Sequence, residues 1–224
     1  MKALVLFGSP GSGKGTQAKL LRQCLGVPHV STGDMLRDSI HRGTEAGKAV
    51  AAIMDAGSLV PDEVVNTLVR ERLSQPDAAR GFILDGYPRT RAQAEHLCGW
   101  LAGRGIGEVV IHLAVDYNII IARLTGRRQC PRCGTLYNMV SQPPKVAGLC
   151  DLDGERLVIR EDDSEAVIRE RLDEYVRQTR PVLDYYRSRG QRLIEVNGSS
   201  RPPEVISKEI CQALDGDDRA KDGR

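Results

Sequence analysis

Apolar residues along this chain gather into short strand-like runs, separated by longer stretches with helical periodicity. The runs lie at residues 3–7, 82–84, 109–115 and 192–196. A strand that faces water on one side alternates apolar and polar positions; a near-continuous apolar strand is buried on both. These runs therefore predict a parallel sheet covered by helices on both faces. Two segments break the alternation. From residue 31 to about 75 there are helical patterns without a strand. From 127 to about 163 the chain is rich in Pro, Gly and Cys, with strand candidates at 136–140 and 156–159. Both read as insertions at the carboxyl edge of the sheet, where open α/β folds bind ligands. Asp163, Ser164 and Glu165 then open a long helical pattern to about Arg189, which Pro181 should kink or divide.

The first turn after the first strand carries the most specific signal. Residues Gly8 to Thr16 read G-S-P-G-S-G-K-G-T, a G-x-x-x-x-G-K spacing between an apolar strand and a helix expected from Gln17 to Leu25, stopped by Gly26. Glycines let backbone N–H groups converge on phosphate oxygens, and the helix N-terminus adds its positive dipole end. Strand, Gly-rich turn and helix together predict a loop for a nucleoside triphosphate, with Gly11, Ser12, Gly13, Lys14, Gly15 and Thr16 around the phosphates. The usual Ser or Thr directly after the lysine is Gly15 here, with Thr16 one place later. The run at 82–84 ends in Asp85. In a P-loop protein a carboxylate there sits beside the nucleotide and holds Mg²⁺, directly or through water.

Bulk properties narrow the field. The net charge of +2 argues against a strong sequence-independent attraction to nucleic acid or membrane. Arginines, however, far outnumber lysines, and the guanidinium fork is matched to phosphate, so individual arginines matter more than the total. No run approaches the ~20 apolar residues of a spanning helix and no signal peptide precedes the first strand. A cytoplasmic protein with reduced cysteines is expected.

Three further motifs join the P-loop: S-T-G-D-M-L-R (Ser31 to Arg37), L-D-G-Y-P-R-T (Leu84 to Thr90) and G-R-R (Gly126 to Arg128). With the P-loop in register, the chain resembles the adenylate kinases from Lys2 to about Leu214. The resemblance implies reversible transfer from MgATP to AMP, giving two ADP. It implies that Lys14, Arg89, Arg127, Arg160 and Arg171 surround the transferring group, with Asp85 at the metal. Arg123 would lie against the donor adenine, and Arg127 on the ATP side. The acceptor monophosphate would meet Thr32, Arg37, Val60, Gly86, Arg89, Gln93, Arg160 and Arg171, with Gln93 presenting its amide to the adenine edge. Thr32 can equally be read as the cap of a helix starting at Asp34. Asp162 and Asp163 match a carboxylate pair that ties a moving lid to the helix after it. Read without the resemblance, Arg160 and Arg171 are ordinary solvated charges. Asn197-Gly198 departs from the acidic residue and Gly often found near the donor adenine, and Ser58 replaces a longer residue.

The Cys-bearing insertion has its own chemistry. Cys130 and Cys133 are followed by Cys150 and Asp153, a C-x2-C-x16-C-x2-D spacing. Zn²⁺ takes four tetrahedral S, N or O ligands, and the four histidines all lie outside this insertion. Cys130, Cys133, Cys150 and Asp153 are the expected ligands of a structural zinc, with Asp151 a less fitting fourth. The insertion resembles the lid of the long adenylate kinases. Cys24, Cys98 and Cys211, on helical patterns, read as small core residues.

The expected fold is α/β: a P-loop three-layer fold with a central parallel sheet, a helical acceptor-binding insertion and a small β-rich zinc lid. Residues 1–30, 61–126 and 164–214 would form the core, 31–60 the AMP-binding insertion, 127–163 the lid and 215–224 a frayed tail. ATP, AMP and ADP are the expected partners of a monomer, without nucleic acid or membrane. Two alternatives remain: a kinase using GTP as donor, and a nucleotide-dependent nucleic-acid binder reading bases through its zinc ribbon. The second has no aromatic platform beyond Tyr137. A switch GTPase would need an N-K-x-D signature, which the chain lacks.

Overall fold

The computed structural model describes residues 2–221. Five parallel strands form one sheet: β1 (Lys2–Phe7), β2 (His29–Ser31), β3 (Gly81–Asp85), β4 (Gly107–Ala114) and, after the lid strands, β7 (Leu193–Asn197), in the order β2-β3-β1-β4-β7. The register pairs Leu4 with Ile83 on one side and with Val109 on the other. Within each continuous apolar run the pleat still sorts side chains. Ala3, Val5 and Phe7 join Phe82, Leu84 and Val110 in a core on one face; Leu4 and Leu6 join Ile83, Val109, Ile111 and Leu113 in a second core on the other. All are nearly or fully buried, the Val, Leu, Ile and Phe side chains each contributing about 1.5–3 kcal/mol of transfer free energy.

Helices α1 (Lys14–Leu25) and α9 (Pro203–Lys221) cover the second face. The first face carries α2 (Thr32–His41), α3 (Glu45–Asp55), α4 (Asp62–Leu73), α5 (Arg91–Ala102) and α8 (Arg180–Ser188). Helix α6 (Tyr117–Thr125) and α7 (Glu165–Glu174) form a smaller apolar cluster of Ile120, Leu124, Ile168 and Leu172. From β1 the chain moves to one side for β2 and β3, then to the other for β4. The sheet thus switches direction beside the carboxyl end of β1, where such folds open a ligand crevice.

Three local expectations change. Strand β2 was not foreseen: it has three residues, only Val30 of them buried. The long helix after Ser164 is divided before Pro181. Helix α7 ends at Glu174 and a π-helical turn at Tyr175–Thr179 leads into α8, so the break falls one turn N-terminal to the proline, whose ring and missing N–H disturb the preceding turn. Helix α9 is described to Lys221, and residues 222–224 of the charged tail lie outside the described residues. The lid pairs β5 (Arg127–Gln129) with β6 (Leu136–Asn138), while 156–159 contributes only bridges from Arg156 and Val158.

Candidate active site

The loop between β1 and α1 is built on glycine conformations. Gly11 and Gly13 have φ of 80° and 97°. A Cβ on Gly11 would come within 2.8 Å of the Leu124 side chain, and one on Gly8 within 2.5 Å of Ser12 Oγ, so neither position admits a side chain without movement. Lys14 opens α1 and folds back over the loop, donating to the carbonyls of Gly8 at 2.8 Å and Ser9 at 2.9 Å. Burial lowers its pKa to about 8; Asp85 opposes this, while Arg89, Arg171 and Arg127 add to it. Five charges expected at the reacting group therefore act on one another. Gly15 lies beside the carboxylate: a Cβ there would sit 3.4 Å from Asp85 Oδ2, an ordinary contact distance. Ser12 Oγ is buried without a hydrogen-bond partner and Thr16 is exposed. Asp85 lies 3.3 Å from His29 Nε2, a neighbour sequence reasoning missed because β2 was missed.

A cavity opens beside Arg89 and Arg171, whose charges act on Lys14. Thr32, Arg37, Val60, Gly86, Arg89, Gln93 and Arg171 line it, seven of the eight residues expected around an acceptor monophosphate. Thr32 is not the cap of α2. Ser31 holds that role, accepting from the Asp34 N–H at 3.3 Å, which leaves the Thr32 hydroxyl to donate to the Gly86 carbonyl at 2.9 Å. Arg89 also donates to that carbonyl through Nε, at 2.9 Å. Burial and then the Arg171 charge lower its pKa to about 10.

Gln93 is more constrained than its expected role implied. Its Oε1 accepts from the Arg89 N–H and its Nε2 donates to Asp62 Oδ1, both at 2.7 Å. The other oxygen of Asp62 accepts from the Thr90 hydroxyl at 2.7 Å, and Thr90 caps α5. The side-chain amide is thereby fixed in orientation, with one N–H left for a further acceptor. Asp62 was missed because its partner lies 31 residues away, and it reads in sequence as an ordinary first-turn acid.

Arginines from separate elements are drawn together by carboxylates. Arg171 on α7 meets Asp162 at 2.9 Å and Asp163 at 3.2 Å. Arg127, at the base of the lid, grips Asp163 with Nε at 2.6 Å and with its second guanidinium nitrogen. Arg37 on α2 pairs with Asp34 at 2.6 Å and approaches Asp162 at 3.7 Å. Arg160 lies 4.0 Å from Asp34, outside the cavity lining, and donates to Gln129 Oε1 at 2.5 Å. The side chains of Arg160 and Arg171 are only 9% and 16% exposed, which rules out the reading of both as solvated charges. Burial would raise the Asp162 carboxyl, but Arg171, Arg37, Arg127 and Arg160 hold it below its ordinary range. The two carboxylates thus bridge lid, α7 and, through Arg37, the acceptor side as well.

Arg123 donates to the carbonyls of Ser12 at 3.3 Å and Gly198 at 2.9 Å, joining the P-loop to the turn after β7. Gly198 is packed too closely for a side chain, since a Cβ would meet Val115 Cγ2 at 2.9 Å.

In the lid, Cys130, Cys133, Cys150 and Asp153 bring one donor atom each to within 4.8 Å of one another. Donors about 2.0–2.3 Å from a tetrahedral Zn²⁺ lie about 3.3–3.8 Å apart. Cys133 and Cys150 sulfurs are 3.6 Å apart, and Cys130 Sγ is 3.4 Å from both Asp153 oxygens. Two matching turns carry these residues. The Cys130 carbonyl accepts from Gly134 N–H and that of Cys150 from Gly154 N–H; the Cys130 N–H donates to Thr135 and that of Cys150 to Glu155. Gly134 and Gly154 have φ of 70° and 71°. Asp151 turns away, accepting from the Lys145 N–H at 2.8 Å. Tyr137 donates to or accepts from Cys150 Sγ at 3.4 Å, so the one aromatic that the nucleic-acid alternative could have used for stacking is buried.

Comparison with known proteins agrees with this geometry. Residues 6–191 match the family described as adenylate kinase. The chain is 52% identical over 206 residues to a protein named adenylate kinase from Anaeromyxobacter dehalogenans strain 2CP-1, covering 91% of this chain and 95% of the relative. An adenylate kinase of Moorella thermoacetica is 52% identical over 204 residues, covering 91% and 94%, and one of Listeria innocua is 48% identical over 196 residues, covering 87% and 91%. These relatives favour the kinase over the nucleic-acid-binding alternative. Among the described residues, no helix is long and apolar enough to cross a membrane.

Proposed function

The chain belongs to the adenylate kinase family and transfers a phosphoryl group from ATP to AMP, and we propose that it does so with the P-loop, the convergent arginines and a metal-stiffened lid in separate roles. The observation that carries this division is the cavity: seven predicted acceptor contacts line it, and its arginines act electrostatically on Lys14 of the P-loop.

In this reading the loop of Gly11, Ser12, Gly13, Gly15 and Thr16 holds the triphosphate of ATP on its N–H groups, with Arg123 at the nucleoside end. The acceptor phosphate lies against Arg37, and its base against Thr32, Val60, Gly86 and Gln93. Transfer breaks the bond between the β,γ-bridging oxygen and the terminal phosphorus and forms one from an AMP phosphate oxygen, leaving ADP on both sides. Negative charge spreads over the equatorial oxygens of the moving group, and in this reading Lys14, Arg89, Arg127, Arg160 and Arg171 stabilise it. Asp162 and Asp163 hold the arginines at workable orientations before phosphate arrives. Asp85 is a hard oxygen donor beside Gly15, fitting for Mg²⁺ carried in with ATP. When bound, that ion neutralises charge on the β- and γ-phosphate oxygens.

The lid cluster fits Zn²⁺: three soft sulfurs and a carboxylate at tetrahedral separations. Such an ion fills its coordination with protein ligands, so its contribution is rigidity. Residues 127–163 would then swing as one unit over ATP and exclude water, which otherwise competes as acceptor. Residues 31–60 would close over AMP. The protein would act as a cytoplasmic monomer.

A coupled ADP-formation assay tests the acceptor assignment. With MgATP, turnover should be rapid with AMP and slow with GMP, UMP and CMP; replacing ATP by GTP should lower it. Equal turnover with UMP would overturn the role given to Gln93 and Thr32.

A further inference from the structure

Of the three cysteines outside the lid, Cys98 and Cys211 pack against the two cores, but Cys24 does not. Cys24 is exposed in the last turn of α1, and Cys211 is half-buried on α9. The two helices pack on each other over the second face of the sheet, and Gln17 on α1 also donates to the Pro203 carbonyl at the start of α9. Cys24 Sγ and Cys211 Sγ lie 3.0 Å apart, though 187 residues separate them in sequence. The sulfurs need close only about 1 Å to reach bonding distance. Cys24 sits at a helix end, where side chain and backbone have most freedom, and it is the thiol that solvent reaches.

We propose that Cys24 and Cys211 form a dithiol site that reacts with small organic disulfides and, once oxidised, staples α9 to α1. The exposed Cys24 thiolate attacks one sulfur of the small disulfide, forming a mixed disulfide and releasing one small thiolate. The Cys211 thiol loses its proton to solvent and attacks Cys24 Sγ, forming the Cys24–Cys211 bond and expelling the second small thiolate, which is protonated. Two protein thiols are oxidised and one small disulfide is reduced to two thiols. The Cys211 thiol is raised to about 12 by burial and by Cys24, so the exchange should start at Cys24. Because the ring closed is nearly the length of the chain, the bond restricts the unfolded state strongly. Cys24 lies ten residues beyond Lys14 on α1, about 15 Å along its axis, so the staple acts on stability and leaves the transfer reaction unchanged.

The test uses the full chain with its lid loaded with Zn²⁺, so that Cys130, Cys133 and Cys150 are held as ligands. Oxidised glutathione is added at pH 8, and the protein is digested without reduction for mass spectrometry. The expected result is a peptide joining Cys24 to Cys211, a loss of two titratable thiols, and a rise in Tm of about 5–15 °C that dithiothreitol reverses. In Cys211→Ser, glutathione should remain attached to Cys24 and Tm should not rise. A wild-type protein that keeps glutathione on Cys24, pairs Cys24 with a lid cysteine or loses no thiol would overturn the site. Cross-linking without a rise in Tm would overturn the staple.

Discussion

The P-loop end of the sheet and the lid reach order by opposite means. The first stands on two continuous apolar cores, with strands packed on both faces and glycines at positions where a Cβ would collide with a neighbour. The lid has almost no core: Cys130, Tyr137 and Cys150 are buried, with Leu157 packed against them, while Val140, Leu152 and Ile159 remain exposed. Two Cys turns and an aspartate supply what apolar burial does not. In the proposed role as a moving lid, a few coordinate bonds would stiffen the region without tying it to the core. Chemistry and stability should therefore separate when each region is perturbed.

The strongest break of this comparison is Lys14→Met. It removes a cation that acts on charge developing in transfer, so kcat should fall about 10³-fold, or about 4 kcal/mol, while Tm stays near wild type or rises. A wild-type kcat would contradict the assignment. Next comes Leu84→Ala, within the sheet core, expected to cost about 2–5 kcal/mol in chemical denaturation with KM for AMP little changed in the folded fraction. Weaker, and confined to the acceptor side, is Asp62→Asn. An amide there can oppose its own NH₂ to that of Gln93, freeing the Gln93 side chain. KM for AMP should rise about tenfold and discrimination against CMP should shrink, with kcat for saturating AMP within a few-fold of wild type. Unaltered selectivity would reduce Asp62 to a cap of local structure.

The smallest effect is a proton count. Lys14 in the free protein titrates at about 8, so above that pH it is increasingly neutral, whereas triphosphate oxygens favour its charged form. Binding of ATP should therefore take up protons, about half of one or more at pH 8.5, and affinity should fall as pH rises. Calorimetry in two buffers of different ionisation enthalpy measures it. Lys14→Met should abolish the uptake.

Much of this was legible beforehand because the signals are local. Continuous apolar runs marked four of the five sheet strands, and glycine spacing marked the phosphate loop. The spacing of Cys130, Cys133, Cys150 and Asp153 picked out four side chains that the fold brings together, with Asp151 turned away from them. What escaped depends on partners distant in sequence. His29-Val30-Ser31 carries a single apolar residue and becomes a strand only against β3. Asp62 gains its meaning from Gln93 and Thr90, and Cys24 from Cys211. Arg160 and Arg171 gave no local sign of burial, since their surroundings are charged; the family resemblance alone marked them. Pro181 announced a break but not that it would fall in the turn before.

The most direct test of the division between the two regions is removal of the lid metal with a zinc-selective chelator, followed by kcat at 25 °C in excess Mg²⁺ and Tm on the same sample. Loss of coordination should lower Tm by about 10 °C and leave kcat within about twofold, with Cys130→Ser behaving alike and insensitive to the chelator. A collapse of kcat at 25 °C with Tm unchanged would contradict the account, because it would put the metal in the chemistry.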